Sequence, residues 1–305
     1  MELSLDAIGA ARVVLIAGPT ASGKSAAAQA LAEEAARRGR AAWVVNADAM
    51  QVYDGLRILT ARPAEAGEWR VPHRLYGHVP PEIRYSVGAW LDDIASVLRE
   101  AEAAVVLVIA VGGTGLYFKA LTEGLAAIPD IPLEVRARWA ERLQREGVAA
   151  LHAVLSEHDP ASAAAIRPSD PQRVLRALEV FEVTGSTLDE RQTTPPLPPL
   201  VSPAETAAFV LEVDRATLRQ RIEQRFDRMV GEGAVEEVRA LLARGLATDL
   251  PAMKAIGVRE FSTALRGEIP LEAAIAKAKQ ETRRYAKRQG TWFRHQMRDW
   301  RRLQS

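Results

Sequence analysis

Apolar runs and helix-period stretches alternate along the first third of the chain. Residues 12–17 are rich in Val, Leu and Ile and are closed at once by Gly18, the pattern of a strand buried on both faces. Residues 23–38 change to Ala, Gln, Glu and Arg, the composition of a helix, and Gly39 can end it. Residues 42–46 predict a second strand, 86–103 a second helix and 105–110 a third strand. Strand, helix, strand, helix, strand implies an α/β fold: a parallel sheet with right-handed crossovers and helices on both faces.

After Lys119 the strand signal fades, and helical segments follow until about Thr184. Pro132 and Pro171 stand where the first turn of a helix tolerates proline, and Gly185 can stop the second of these helices. Residues 195–199 (Pro-Pro-Leu-Pro-Pro) and Pro203 read as a stiff, non-helical linker. Residues 207–213 restore a strand that rejoins the sheet. The expected organisation is a core made of residues 1–120 and 204–305 with a mostly helical insertion at 121–203. Beyond Asp214 the chain reads as mostly helical.

Composition narrows the chemistry. With no cysteine among 305 residues, disulfides, thiolate zinc sites, iron–sulfur clusters and thiol catalysis are excluded. No apolar run approaches bilayer thickness, and Met1–Ala10 lacks the pattern of a secretory signal. The expectation is a cytosolic protein with no membrane partner, and a monomer by default. Net charge is +1, yet residues 277–302 carry ten Lys or Arg against only Glu281 and Asp299. That basic end is either a polyanion site or a solvated helical face.

The most specific local signal is Gly18, Pro19, Thr20, Ala21, Ser22, Gly23, Lys24 and Ser25, which match G-x-x-x-x-G-K-[ST] between a strand and a helix. The glycines let successive N–H groups turn toward an anion, and the helix adds the positive end of its dipole. Lys24 supplies a mobile charge and Ser25 a hydroxyl able to ligate Mg²⁺. The loop marks a P-loop NTPase-like core, but ATP and any diphosphate ester would satisfy the same donors. Asp48 lies just past the second strand, at the sheet edge where ligands bind. It can be a general base, a magnesium-side carboxylate or a turn cap. The third strand runs into Val111-Gly112-Gly113-Thr114-Gly115 with no carboxylate at its end, unlike many P-loop hydrolases. Glycines there predict close approach of a flat or bulky group. A P-loop small-molecule kinase using ATP is the alternative reading.

Residues 18–25, Asp48-Ala-Met-Gln51-Val-Tyr53, Thr60-Ala-Arg-Pro63, His73-Arg74, residues 112–118, Asp170-Pro-Gln-Arg173 and Arg221-Ile-Glu-Gln-Arg225-Phe226 occur in that order. Together they closely resemble the tRNA dimethylallyltransferase family, also called isopentenyl transferases, from about Arg12 to Trp300. The resemblance implies transfer of a dimethylallyl group from dimethylallyl diphosphate to N6 of the adenine 3′ of the anticodon, in tRNAs reading codons that begin with U. It implies that the P-loop and Arg221 hold the diphosphate, that Ser25 helps bind Mg²⁺, and that Asp48 is the base. It places Thr114 beside the reacting groups and Arg225 on the departing diphosphate. It implies contact with the tRNA anticodon stem-loop through Asp48, Ala49, Met50 and Gln51, through Arg136, through Gln172, Arg173, Val174, Leu175 and Arg176, and through Lys254, Ala255, Ile256, Gly257, Val258 and Arg259. Ala49 stands where the family often has Ser, and Leu59 and Arg62 depart from its Ile-Gly-Thr-Ala-Lys-Pro; these are expected to tune packing around the prenyl pocket. Tyr53, Tyr117 and Phe118 are candidate stacking platforms, or core. Arg283, Arg284, Lys287, Arg288 and Arg294 are candidate phosphate contacts, and Trp292 and Trp300 packing residues.

Overall fold

A computed structural model describes residues 3–63, 71–126, 128–193 and 197–304. The strands are β1 (Val13–Ala17), β2 (Ala42–Asn46), β3 (His73–Arg74), β4 (Leu107–Gly112), β5 (Thr206–Glu212) and β6 (Arg301–Gln304). They form one parallel sheet in the order β3-β2-β4-β1-β5-β6. The helices are α1 (Leu5–Ile8), α2 (Lys24–Arg37), α3 (Val87–Ala103), α4 (Gly115–Glu123), α5 (Leu133–His158), α6 (Pro160–Ala165), α7 (Pro171–Thr184), α8 (Leu188–Thr193), α9 (Arg215–Gly231), α10 (Ala234–Ala243), α11 (Val258–Leu265) and α12 (Leu271–Gln296). Every residue of β1 and β4 is buried, as expected where helices cover both faces of a sheet.

The expected third strand is displaced. Val105 takes φ +54° and is 83 % exposed, and the Val106 N–H bonds to Ala101 O. These two β-branched residues therefore close α3, and pairing starts at Leu107. Two short strands lay below the sequence signal. β3 has two residues. β6 buries only Leu303, and its neighbours Arg301 and Gln304 are exposed, so this edge strand reads as part of the basic tail.

Contacts divide the chain into two units, residues 1–122 with 200–305, and residues 123–199. In the smaller unit α5 is interrupted at Gly147 (φ +79°), and α5 and α7 pack around Leu151, Leu155, Val174, Ala177 and Leu178. Asp159 is fully buried there, accepting from the N–H groups of Ser162 (2.9 Å) and Leu188 (3.2 Å). Asp170 caps α7 through the Arg173 N–H at 3.1 Å. Of the expected proline linker, Pro195 and Pro196 lie outside the described residues, while Leu197 pairs antiparallel with Leu125. Among the described residues no helix is long and apolar enough to cross a membrane.

Candidate active site

β1 delivers the chain into the loop at residues 18–25, which is closed by its own backbone. The Ser22 N–H bonds to Pro19 O at 3.2 Å, and Gly23, at φ +88°, caps α2. A side chain at Gly18 would meet Ser22 Oγ at 2.7 Å and Leu211 Cβ at 3.3 Å, so only glycine leaves the loop its path. Lys24 is 8 % exposed, and its Nζ donates to Pro19 O at 3.3 Å. Burial lowers its pKa to about 8; Asp48 opposes that shift and Arg225 adds to it. Lys24, Asp48 and Arg225 thus sit within electrostatic reach of one another.

Arg221 and Arg225 come from successive turns of α9 and share a face. Arg221 Nη1 donates to Ser22 O at 3.5 Å. The Arg225 guanidinium is enclosed enough that burial lowers its pKa, with Asp48 acting against the shift. The Ser25 hydroxyl lies on an exposed residue of the first turn of α2. Among the described residues no cluster of three or more His, Asp or Glu could hold a metal on its own. A Mg²⁺ here would draw its ligands from Ser25, substrate phosphate oxygens and water, the hard oxygen set this ion prefers.

Asp48 is held by a separate network. Its Oδ1 accepts from Met50 N at 3.0 Å, and its own N–H donates to Asn46 Oδ1 at 2.9 Å. Asn46 is fully buried and donates to the carbonyls of Asp48 and Leu75, both at 3.0 Å, while Trp90 Nε1 donates to Asn46 O at 2.9 Å. Thr114 Oγ1 accepts from Ala49 N at 2.9 Å. Gln51 Nε2 donates to Thr60 O at 2.8 Å. The phenols of Tyr76, Tyr117 and Tyr285 all have raised pKa values, through burial first and the Asp48 charge second.

The glycines after β4 have a different cause from the expected one. A β-carbon on Gly112 would stand 1.9 Å from Ala47 O, one on Gly113 2.2 Å from Gln289 Nε2, and one on Gly115 2.1 Å from the Trp292 ring. The groups that approach are therefore the protein's own. Of the two readings for Tyr53, Tyr117 and Phe118, the core one fits. Tyr53 and Phe118 are fully buried, Phe118 edge-on to Trp300, and Tyr117 lies stacked on Trp90 at 4.4 Å.

A cavity of about 80 Å³ adjoins the loop and Asp48. Its polar lining includes Asp48, Arg225 and Thr60, and its apolar lining includes Leu59, Phe226 and Met229. Met50, Ala255 and Ile256 border it too, so two of the expected tRNA stretches meet there. Leu59, one of the departures from the family pattern, is part of this wall, and Arg62 donates to Tyr53 O at 3.2 Å.

The pattern that defines the family described as IPP transferase matches residues 51–296. The chain belongs to that family. A tRNA dimethylallyltransferase from Chelativorans sp. is 54 % identical over 283 residues, covering 93 % of this chain and 95 % of that protein. One from Phenylobacterium zucineum is 53 % identical over 292 residues, covering 96 % and 92 %. The structure of a tRNA isopentenylpyrophosphate transferase from Bacillus halodurans superposes with a TM-score of 0.66 at 35 % identity, covering 96 % of this chain and 89 % of that one. A eukaryotic dimethylallyltransferase acting on tRNA gives 0.77 at 25 % identity, covering 96 % and 73 %.

In this IPP transferase the remaining candidates separate by burial. Val174, Ala255 and Val258 are buried, Ala255 where it borders the Asp48 cavity. Leu175 packs against the small unit's core. Gln172, Arg173, Lys254 and Arg259 are exposed. Arg136 lies close to Arg176 and Glu179, and it depresses the pKa of Arg176 after burial. On α12, Arg283 pairs with Glu223 and Arg284 with Glu281, whereas Lys287 and Arg294 line a cavity of about 620 Å³ without an ion pair among the described residues. Arg288 lies over the Tyr285 ring at 5.8 Å. Sequence reasoning passed over Gln289 and Tyr285, which face Asp48 and the loop. The signal was present as the 3-4-3 spacing of Thr282, Tyr285, Gln289 and Trp292, masked by the basic residues between them.

Proposed function

We propose that this IPP transferase moves a dimethylallyl group from dimethylallyl diphosphate to N6 of the adenine just 3′ of a tRNA anticodon. The observation that carries this reading is a cavity lined by Arg225, Asp48 and an apolar wall, with the buried Lys24 within electrostatic reach of both charged groups. Cations there receive a diphosphate, the apolar wall receives a short hydrocarbon, and the carboxylate accepts a proton. The cytoplasm is the compartment the reading requires, because tRNA is the substrate.

The adenine N6 lone pair is delocalised into the ring, so the amine is a weak nucleophile. As the new C–N bond forms, Asp48 accepts the N6 proton, an assistance of about 10²–10⁴-fold. The allylic C–O bond breaks at the same carbon, and negative charge collects on the departing diphosphate. Loop N–H groups, Lys24 and Arg225 stabilise that charge, with Arg221 beside them. The Ser25 hydroxyl would help hold a Mg²⁺, which would supply further charge neutralisation. Extruding the base into the site costs a few kcal/mol, less in a loop than in a duplex.

The kinase reading is disfavoured by the family and by the absence of a carboxylate at the end of β4. Incubation with radiolabelled dimethylallyl diphosphate and unmodified tRNA tests the proposal. Label is expected in the RNA. Unlabelled RNA, with γ-phosphate of ATP passing to a small molecule instead, overturns it.

A further inference from the structure

Thr282, Tyr285, Gln289 and Trp292 lie on one face of α12. Thr282 and Tyr285 line the Asp48 cavity, and the Trp292 ring occupies the space that a side chain on Gly115 would need. Between them Gln289 is 6 % exposed. Its Oε1 accepts from Thr20 N at 2.9 Å, and its Nε2 donates to Gly113 O at 2.9 Å. An N–H on one side and a carbonyl on the other leave the amide a single satisfactory orientation. A β-carbon on Gly113 would lie 2.2 Å from that Nε2 and 3.3 Å from Asp48 Oδ2, so the amide's donor end reaches the loop that faces the carboxylate.

This amide joins the two halves of the chemistry. Thr20 belongs to the phosphate loop and Gly113 to the segment that carries Thr114, which accepts from Ala49 next to Asp48. Thr20 N–H is committed to Gln289, which leaves the later loop N–H groups for an anion. Displacement at carbon needs the nucleophile, the carbon and the leaving oxygen aligned, and a misplacement of about 1 Å can lower the rate by about 100-fold.

Building on the proposed transfer reaction, we infer that Gln289 is a positioning residue. It fixes the phosphate loop against the Gly113–Thr114 segment and so sets the distance from the departing diphosphate to Asp48. The residue makes no chemical step of its own. Its removal lowers turnover without loosening tRNA.

Two variants test this with labelled dimethylallyl diphosphate and unmodified tRNA. Gln289→Met keeps the length and loses both hydrogen bonds. Gln289→Glu keeps the acceptor for Thr20 and, when ionised, loses the donor to Gly113. We expect kcat to fall about 100-fold in the first and about 10-fold in the second, with KM for tRNA within about two-fold of wild type. The introduced carboxyl regains a donor when protonated. The ratio of Gln289→Glu to wild-type kcat should therefore rise as pH is lowered from about 8 to 6. A purely structural role predicts lower melting temperatures and no such recovery. Unchanged kcat in both variants, or losses that follow melting temperature alone, overturns the inference. A wild type that transfers no label defeats the proposed function instead. The clamp is then judged by calorimetry with magnesium pyrophosphate: weaker binding to Gln289→Glu than to wild type supports it, and equal affinity rejects it.

Discussion

Lys24 and Asp48 lie within electrostatic reach of each other, yet the segments that hold them are built in different ways. The phosphate loop is eight consecutive residues, closed on itself through Ser22 N to Pro19 O and the Lys24 side chain to Pro19 O, with Gln289 on Thr20 N and Arg221 on Ser22 O reaching it from outside. The Asp48 side is assembled from distant parts of the chain: Asn46 below it, Trp90 and Leu75 on Asn46, Thr114 on Ala49, and Gln289 against Gly113. A local cradle can bind an anion wherever a strand feeds a helix. A carboxylate held from several directions keeps a fixed aim, which matters for proton transfer more than for affinity. The difference therefore predicts that damage to the cradle appears first in binding and damage to the Asp48 side first in rate.

The largest effect is expected at Asp48. Asn there retains an acceptor for Met50 N and nearly the same volume, but it cannot take a proton. Asp48→Asn should lower kcat by about 10²–10⁴-fold while KM for tRNA changes little. Steady-state kinetics showing turnover close to wild type would remove Asp48 from the role of base and dissolve the contrast.

The same contrast explains what could be read in advance. The P-loop was legible because its physics is local: a buried strand, two glycines, a lysine and a helix start. The parallel sheet was legible in β1, β2, β4 and β5 because strands covered on both faces are apolar throughout. β6 was not, because an edge strand with one buried residue has no such run. Around Asp48 the motif located the carboxylate, but its partners at Trp90 and Gln289 are separated from it by tens to hundreds of residues. No spacing rule reaches that far. The glycines at 112–115 were correctly read as close-approach positions, but which group approaches is a tertiary fact.

Lys24 should show the next largest effect, and with two opposite signs. Its pKa is lowered from 10.5 to about 8, mainly by burial, so the folded protein without ligand holds this charge against a desolvation penalty. The unfolded chain binds the proton more tightly between those values, so stability rises with pH from about 8 to 10.5. Below about 8 the full penalty is present, on the order of 3 kcal/mol. Lys24→Met should therefore raise the melting temperature of the ligand-free protein at pH 7 and flatten this pH dependence. It should also weaken binding of dimethylallyl diphosphate by roughly 10–100-fold, the loss of a charged hydrogen bond. Thermal melts across that pH window check the first, and calorimetry checks the second. Unchanged diphosphate affinity would separate the cradle from its assigned ligand.

The smallest effect lies outside both walls of the site, on the outer side of α12. Lys287 and Arg294 line the larger cavity without carboxylate partners among the described residues, whereas Arg283 and Arg284 are paired. An unpaired cation can neutralise a phosphate and release its counterion; a paired one must first give up its carboxylate. Replacing Lys287 and Arg294 together by Ala should raise KM for tRNA several-fold and leave kcat near wild type. The slope of log affinity against log salt should become shallower by about 1.5–2, near one phosphate contact per residue. An Arg284→Ala control should move it less. Equal slopes in the double variant and wild type would assign these cations to the solvated face of the helix. Reduced kcat at saturating tRNA would instead show that α12 transmits changes on its outer surface to Gln289, and the separation between affinity and rate would have to be redrawn.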